Sequence, residues 1–142
     1  MTAEFIVATH SLVYLNHKGD YRSSEEIAEN VCTNPARVRK VMVKLKRAGL
    51  VETHAGFVGG YRFAKDPARV TLNAVFYAVG KHIVKMTWRS GSPDMDCPIA
   101  TGMRPFMDAL FASLDDCCAQ RLDETTIADI DRALFGAQAG EG

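Results

Sequence analysis

No run of eighteen apolar residues occurs in the 142-residue chain, so no membrane-spanning helix is expected. The opening residues, Met1 to Val7, lack the basic region and small-residue cleavage pattern of an export signal, and a cytoplasmic protein is expected. Cysteine is scarce: Cys32, Cys97, Cys117 and Cys118 are the only four. In a reducing compartment they stand as thiols, which excludes a disulfide framework. The four histidines are scattered, no nucleophile stands in a recognisable elbow, and the glycine-rich stretch 56–60 lacks the Lys-Ser/Thr pair of a phosphate-binding loop. An enzyme is therefore not expected. Net charge is missing too, with 17 basic and 17 acidic residues, but the balance conceals a division. Residues 1–70 hold 11 lysines and arginines against 7 acids, and residues 71–142 hold 6 against 10. Charge sorted this way suits the first half to a polyanion. The apolar content of 47% is enough for a core, and the length fits one domain, or a small domain with an oligomerisation element.

What is abundant is positive charge between Asn34 and Ala48: Arg37, Arg39, Lys40, Lys44, Lys46 and Arg47, with no acid among them. Val38, Val41, Met42, Leu45 and Ala48 recur at the three-then-four spacing of one helix face, which places Arg37, Lys40, Lys44 and Arg47 as a stripe on the other. Pro35 suits the first helical position, Thr33 or Asn34 can cap it, and Gly49 stands where a left-handed residue ends a helix. Ahead of it, Ser23 to Val31 reads as a short helix, with Ser23 and Glu26 spaced as in a capping box. Cys32 to Asn34 then leaves a turn of helix-turn-helix length. Behind it, Leu50–His54 and Tyr61–Ala64 alternate with period two around the glycine-rich Ala55–Gly60, a hairpin signal. Helix, turn, basic helix and glycine-tipped hairpin make the order of a winged helix-turn-helix. Such a helix fits the major groove of DNA while the hairpin approaches the backbone or minor groove beside it. A cationic face that merely solvates a helix is the competing reading of the charge run alone; the adjoining hairpin favours DNA. A winged helix that binds protein instead of DNA is a further alternative.

These residues resemble the Rrf-two family of bacterial winged-helix regulators, whose members include the iron–sulfur cluster regulator, the nitric-oxide-sensing repressor and the cysteine-metabolism repressor. The likeness is carried by Ile27 and Ala28, by Val41 to Leu45, and by Ala48 to Val51. Its most specific part is the wing, Gly56 to Tyr61, followed by Ala64 to Pro67 and Val70 to Leu72. It covers residues 5–80 well and the remainder in outline. It implies a mainly α fold with a small β-hairpin wing, a winged helix-turn-helix (1–80) followed by a sensor loop and dimerisation helices (81–136) and a flexible tail (137–142). It also implies a homodimeric DNA-binding regulator, a repressor.

The iron–sulfur members hold three closely spaced cysteines between the wing domain and the long helix. Here residues 81–103 hold one, Cys97, which cannot bind a cluster by itself. Cys117 and Cys118 are adjacent and point about 100° apart on a helix. No iron–sulfur cluster and no metal are therefore expected. Cys97 is read either as a structural cysteine or as the thiol of a redox-responsive regulator; Asp94 and Asp96 should raise its pKa, which speaks against the second.

Elsewhere, residues 4–16 form an expected first helix buried through Phe5, Ala8, Leu12 and Leu15. Thr71 caps a helix over 72–79 that Gly80 stops, and Asp123 to Thr125 cap a last helix over 126–135. Residues 104–122 read as a long helix with Pro105 in its first turn. Phe106, Leu110, Phe111, Leu114 and Leu122 give it more apolar surface than one small domain can cover, so they are assigned to a dimer interface. For the double-stranded DNA partner, Arg37, Arg39 and Lys40 are assigned to base edges and Lys44 and Arg47 to phosphates. Ser23 and Ser24 supply hydroxyl and amide donors, and Gly59, Gly60, Tyr61 and Arg62 the wing contact. Tyr61 is open to a second reading, as a core residue of the hairpin.

Overall fold

A computed structural model describes residues 2–56 and 59–139. Phe57 and Val58 at the expected wing tip, and 140–142 of the expected tail, lie outside the described residues. Helix α1 (Thr2–Lys18) buries Ala8, Leu12 and Leu15 on the face its spacing predicts, with Phe5 packed at the margin. Helix α2 (Ser24–Val31) starts at Ser23, whose Oγ accepts the Glu26 N–H at 3.1 Å. The Glu26 carboxylate instead takes the Ser23 hydroxyl and the Arg22 guanidinium. Cys32 turns the chain with a positive φ of 64°, unusual for a residue with a side chain.

Helix α3 (Pro35–Arg47) is capped at both ends. Asn34 Oδ1 accepts the Arg37 N–H at 2.8 Å, with Pro35 in the first helical position. At the other end the Gly49 N–H donates to the Lys46 carbonyl and the Leu50 N–H to the Leu45 carbonyl, both at 2.9 Å. This Schellman arrangement needs the left-handed φ of +78° that Gly49 adopts at little cost. Val38, Val41, Met42 and Leu45 are fully buried, and each such side chain contributes about 1.5–3 kcal/mol through removal from water. Ala48, expected on the same face, is instead exposed at the C-cap.

Strands β1 (Val51–His54) and β2 (Gly60–Phe63) pair antiparallel, Val51 opposite Phe63 and Glu52 opposite Arg62. Arg22 extends this ribbon with a one-residue bridge to Tyr61, through Arg22 N–H to Tyr61 O at 2.9 Å and Tyr61 N–H to Arg22 O at 2.8 Å. Helix α4 (Leu72–Val79) has Thr71 as its cap, Oγ1 accepting the Ala74 N–H at 3.1 Å, and it ends at Gly80. Val75, Phe76 and Val79 join the core, with Leu72 beside them.

The last two helices differ most from their expected bounds. Helix α5 runs from Pro98 to Asp123, starting before the expected 104. Pro98 occupies a first-turn position that tolerates proline, whereas Pro105 lies inside the helix, where it has no N–H for the Thr101 carbonyl. Helix α6 (Ile127–Ala139) is capped by Thr126 rather than by 123–125, and runs past the expected end at Phe135. Thr126 N–H donates to Asp129 Oδ2 at 2.9 Å and Asp129 N–H to Thr126 Oγ1 at 3.1 Å, a reciprocal box.

The end of α5 and start of α6 clasp the winged unit. Leu72 N–H donates to Thr125 O at 2.8 Å, Ile127 N–H to Val70 O at 3.0 Å, and Ile127 is fully buried in the shared core. None of the 26 residues of α5 is buried.

Candidate nucleic-acid interface

At about 100° per residue, Ala36, Lys40, Val43 and Arg47 form the outer line of α3, opposite its buried face. All four are exposed, as are Arg37, Arg39 and Lys46 to either side. Lys44 departs from the expected stripe. Its ammonium group donates to Glu4 Oε2 of α1 at 2.8 Å and to the Val79 carbonyl at 3.5 Å, so it sits half-buried between α1 and the end of α4. The Lys44 hydrogen bond outweighs desolvation and holds the Glu4 carboxyl below its ordinary pKa, with Lys40 adding attraction from 3.8 Å. Arg39 is tethered more loosely, donating to Ser24 Oγ at 3.2 Å with Glu25 Oε1 3.6 Å away, and half its side chain stays open. Arg37, Lys46 and Arg47 have no ion pair among the described residues.

Beside α3, a shallow polar cleft is lined by Ser23, Ser24 and Glu25 from α2 and by Thr53, His54, Gly59, Gly60 and Tyr61 from the hairpin. The two assigned groups of residues, apart from Arg62, thus share one cleft, but their side chains are differently employed than expected. Ser24 is buried and its hydroxyl is taken by Glu25 and Arg39; Ser23's hydroxyl is taken by the helix cap. What these serines leave toward the cleft is the first turn of α2, where amides without intrahelical partners attract anions. Tyr61 packs against the core, favouring its hairpin reading. A side chain on Gly60, whose φ is +154°, would collide with the Arg22 carbonyl, so this glycine is required by the backbone bridge. Arg62 is bound to Glu52 Oε1 across the ribbon, through Nη2 at 2.6 Å and Nε at 3.0 Å, and lies 4.9 Å from the centre of the Tyr21 ring.

The family model described as Rrf2, iron-dependent transcriptional regulator, matches residues 1–132. The chain belongs to the Rrf2 family. It is 31% identical over 137 residues to YwnA of Bacillus subtilis (strain 168), an HTH-type transcriptional regulator by name, covering 95% of this chain and 99% of that one. The fold is shared with a protein of Lactobacillus plantarum named as a transcriptional regulator, with a TM-score of 0.83, 24% identity and coverage of 94% and 91%. It is also shared with CymR, the global cysteine regulator of B. subtilis, with a TM-score of 0.69, 19% identity and coverage of 94% and 96%. The protein is thus a transcription regulator with a winged-helix fold, of a family that binds DNA, and not an enzyme. Among its described residues, no helix is long and apolar enough to cross a membrane.

Iron dependence would require several donor side chains held close together. Among the described residues no three His, Cys, Asp or Glu side chains lie together in a way that could hold a metal ion. Cys97 is the single thiol of the 81–97 segment, Cys32 is on the α2–α3 turn, and Cys117 is exposed where Cys118 is half-buried. This donor set does not fit iron or a cluster. Cys97 precedes α5, and the nearby amides of Ala100 and Ile99 lower its pKa from the usual thiol value, opposite to the rise expected from Asp94 and Asp96.

Helix α5 is two-faced. Ile99, Met103, Phe106, Leu110 and Leu114 recur at four- and three-residue steps and are all exposed, Phe106 by 66%. Phe111 and Leu122, assigned to the same interface from sequence, lie on the other side: Phe111 faces Met86 and Trp88, and Leu122 faces Phe5, Phe76 and Ile83. Asp115, on that inner side, ties down the 81–84 segment by accepting the Ile83 N–H at 2.8 Å and the Val84 N–H at 3.2 Å.

Proposed function

We propose that this regulator acts in the cytoplasm as a homodimeric repressor that binds a near-palindromic operator, without a metal or iron–sulfur cofactor. The observation that carries the reading is the outer face of α3, a doubly capped helix whose Arg37, Arg39, Lys40 and Arg47 stand open beside the α2–hairpin cleft. Two copies of α3 enter successive major grooves about 34 Å apart. Arg37, Arg39 and Lys40, near the helix start, take base edges, and Arg47 takes a phosphate. Arg39 exchanges its Glu25 contact for the DNA. The first turn of α2, at Ser23 and Ser24, takes a second phosphate, and Gly59, Gly60, Tyr61 and Arg62 shape the wing that lies against the backbone. Lys44 supports α3 from behind through Glu4 instead of touching phosphate. The exposed stripe of α5, centred on Phe106, Leu110 and Leu114, joins the two subunits.

Selection of bound duplexes from a random pool, followed by footprinting, tests the reading. Two inverted half-sites one helical turn apart are expected; a pool that never enriches overturns it.

A second reading concerns what the regulator senses. The lowered pKa of Cys97 favours it as a thiol that responds to oxidants or electrophiles.

A further inference from the structure

Four of the five large apolar residues of α3 are fully buried; the fifth, Val43, is 56% exposed. Among the described residues it belongs neither to the core cluster nor to the hydrophobics packed against it, and a β-branched residue on a solvent-facing helical position is a weaker helix former than lysine or glutamate. An isolated exposed valine is unremarkable on most surfaces. Here its surroundings change the meaning. Val43 lies on the outer line of the helix, three residues after Lys40 and four before Arg47, with the small exposed Ala36 two turns earlier on the same line. Each helical step advances about 100° and 1.5 Å, so Val43 sits in the middle of the cationic face rather than at its edge. The flanking cations are complementary to phosphates and guanine edges. The apolar group between them is not, and in the major groove the one apolar feature a normal base pair presents is the C5-methyl group of thymine.

We propose that Val43 reads a thymine: its isopropyl group packs on the C5-methyl of one thymine in each half-site. Ala36 keeps the same line of the helix low enough to approach the groove floor. The inference rests on the DNA-binding reading above and deepens it, adding a specificity-determining residue of a chemical kind that the cationic stripe cannot supply.

Deoxyuridine, which lacks only that methyl, provides the test. Each thymine of the selected operator is replaced by deoxyuridine in both half-sites, and affinities of the full-length protein and of Val43→Ala are measured by fluorescence anisotropy. Helical content and thermal unfolding of the variant, whose altered side chain is largely exposed, serve as the folding control. At one thymine per half-site, removal of the methyl is expected to weaken the unaltered protein by about fourfold per half-site, about fifteenfold for the pair. Val43→Ala should lose the same factor on the thymine operator and be indifferent to deoxyuridine at that position. Indifference of the unaltered protein to every replacement, an operator without thymine, or a variant that still separates thymine from deoxyuridine overturns the inference while leaving specific DNA binding intact. Failure of the unaltered protein to select any sequence would instead overturn the DNA-binding reading itself.

Discussion

Arg37 and Lys44 differ by seven positions, carry the same charge and read alike in the sequence, yet the structure gives them different work. Arg37 is exposed and has no ion pair among the described residues, whereas Lys44 is held by Glu4 and by the Val79 carbonyl. Arg37→Ala should therefore weaken binding to the selected operator by about 1–3 kcal/mol and relax the preference at one base pair, with unfolding unchanged. Lys44→Ala should do the reverse, lowering stability by about 1 kcal/mol, read from urea unfolding, while affinity for DNA falls much less; competition with random duplex separates the two effects. The partner residue makes a pH prediction. Because Lys44 depresses the folded-state pKa of Glu4 below its ordinary value of 4.5, the pairing stabilises above that value and the contribution is lost as pH falls through the folded pKa. The stability gap between the unaltered protein and Glu4→Gln should be full at pH 7 and close as pH drops below about 4.5. A gap of constant size down to pH 3 would contradict the pairing. Cys97 gives a second titration. With its thiolate favoured by the Ala100 and Ile99 amides, alkylation of Cys97 by iodoacetamide, read by peptide mass mapping, should reach half its maximal rate at a pH below 9.0. A half-maximal rate reached only at pH 9.0 or above would remove the physical basis for Cys97 as a sensor.

At the scale of elements, most of what is local was legible. The Asn34–Pro35 start and Gly49 stop of α3, the Thr71 cap of α4 and the pairing of the two hairpin strands are short-range rules, and each holds where it was expected; the alternation is incomplete, since Val51 is buried but Thr53 is exposed. What escaped depends on partners far along the chain. Nothing near Lys44 announces Glu4, forty positions away, and nothing near Ile127 announces that it completes the core of the winged unit. The α5 stripe was visible, but not its direction: Phe111 and Leu122 share its composition and point the other way because the 81–97 segment and α4 cover that side. Pro105 misled as a start signal because Pro98 supplies the same first-turn geometry earlier. Val43 could have been found by the helical angle alone, since it falls opposite Val38, Val41, Met42 and Leu45. The wing glycines show how one signal carries two causes. Read as surface for DNA, Gly60 is also where the ribbon meets Arg22, at a positive φ with no room for a Cβ. Gly60→Ala should destabilise the protein by about 1–3 kcal/mol even without DNA, measured as a lowered urea midpoint. A variant as stable as the parent, but weaker on DNA, would make the glycine a contact residue only.

At the scale of the molecule, the question is how one winged unit becomes a reader of a two-fold site. A 26-residue helix without a single buried residue is uneconomical for a monomer, and its outward stripe is arranged as one continuous apolar line from Ile99 to Leu114. In the proposed dimer, pairing two such lines would cover them and fix the separation of the two α3 helices, because the end of α5 and the start of α6 are bonded to the winged unit through Val70 and Leu72. Such an interface would do more than raise avidity; it would set which half-site spacing fits. Phe106→Glu with Leu110→Glu should convert the protein to a monomer by sedimentation while its helical content and unfolding cooperativity persist, since neither side chain supports the core. Phosphate contacts should then be halved, and the slope of log affinity against log salt, about −0.9 per contact, should fall by about half. Affinity for a single half-site should change little, whereas preference for the full palindrome should disappear, because the second binding event loses its linkage. Retention of a dimer after both substitutions would place the subunit contact elsewhere on the surface, and with it the spacing of the two helices on DNA.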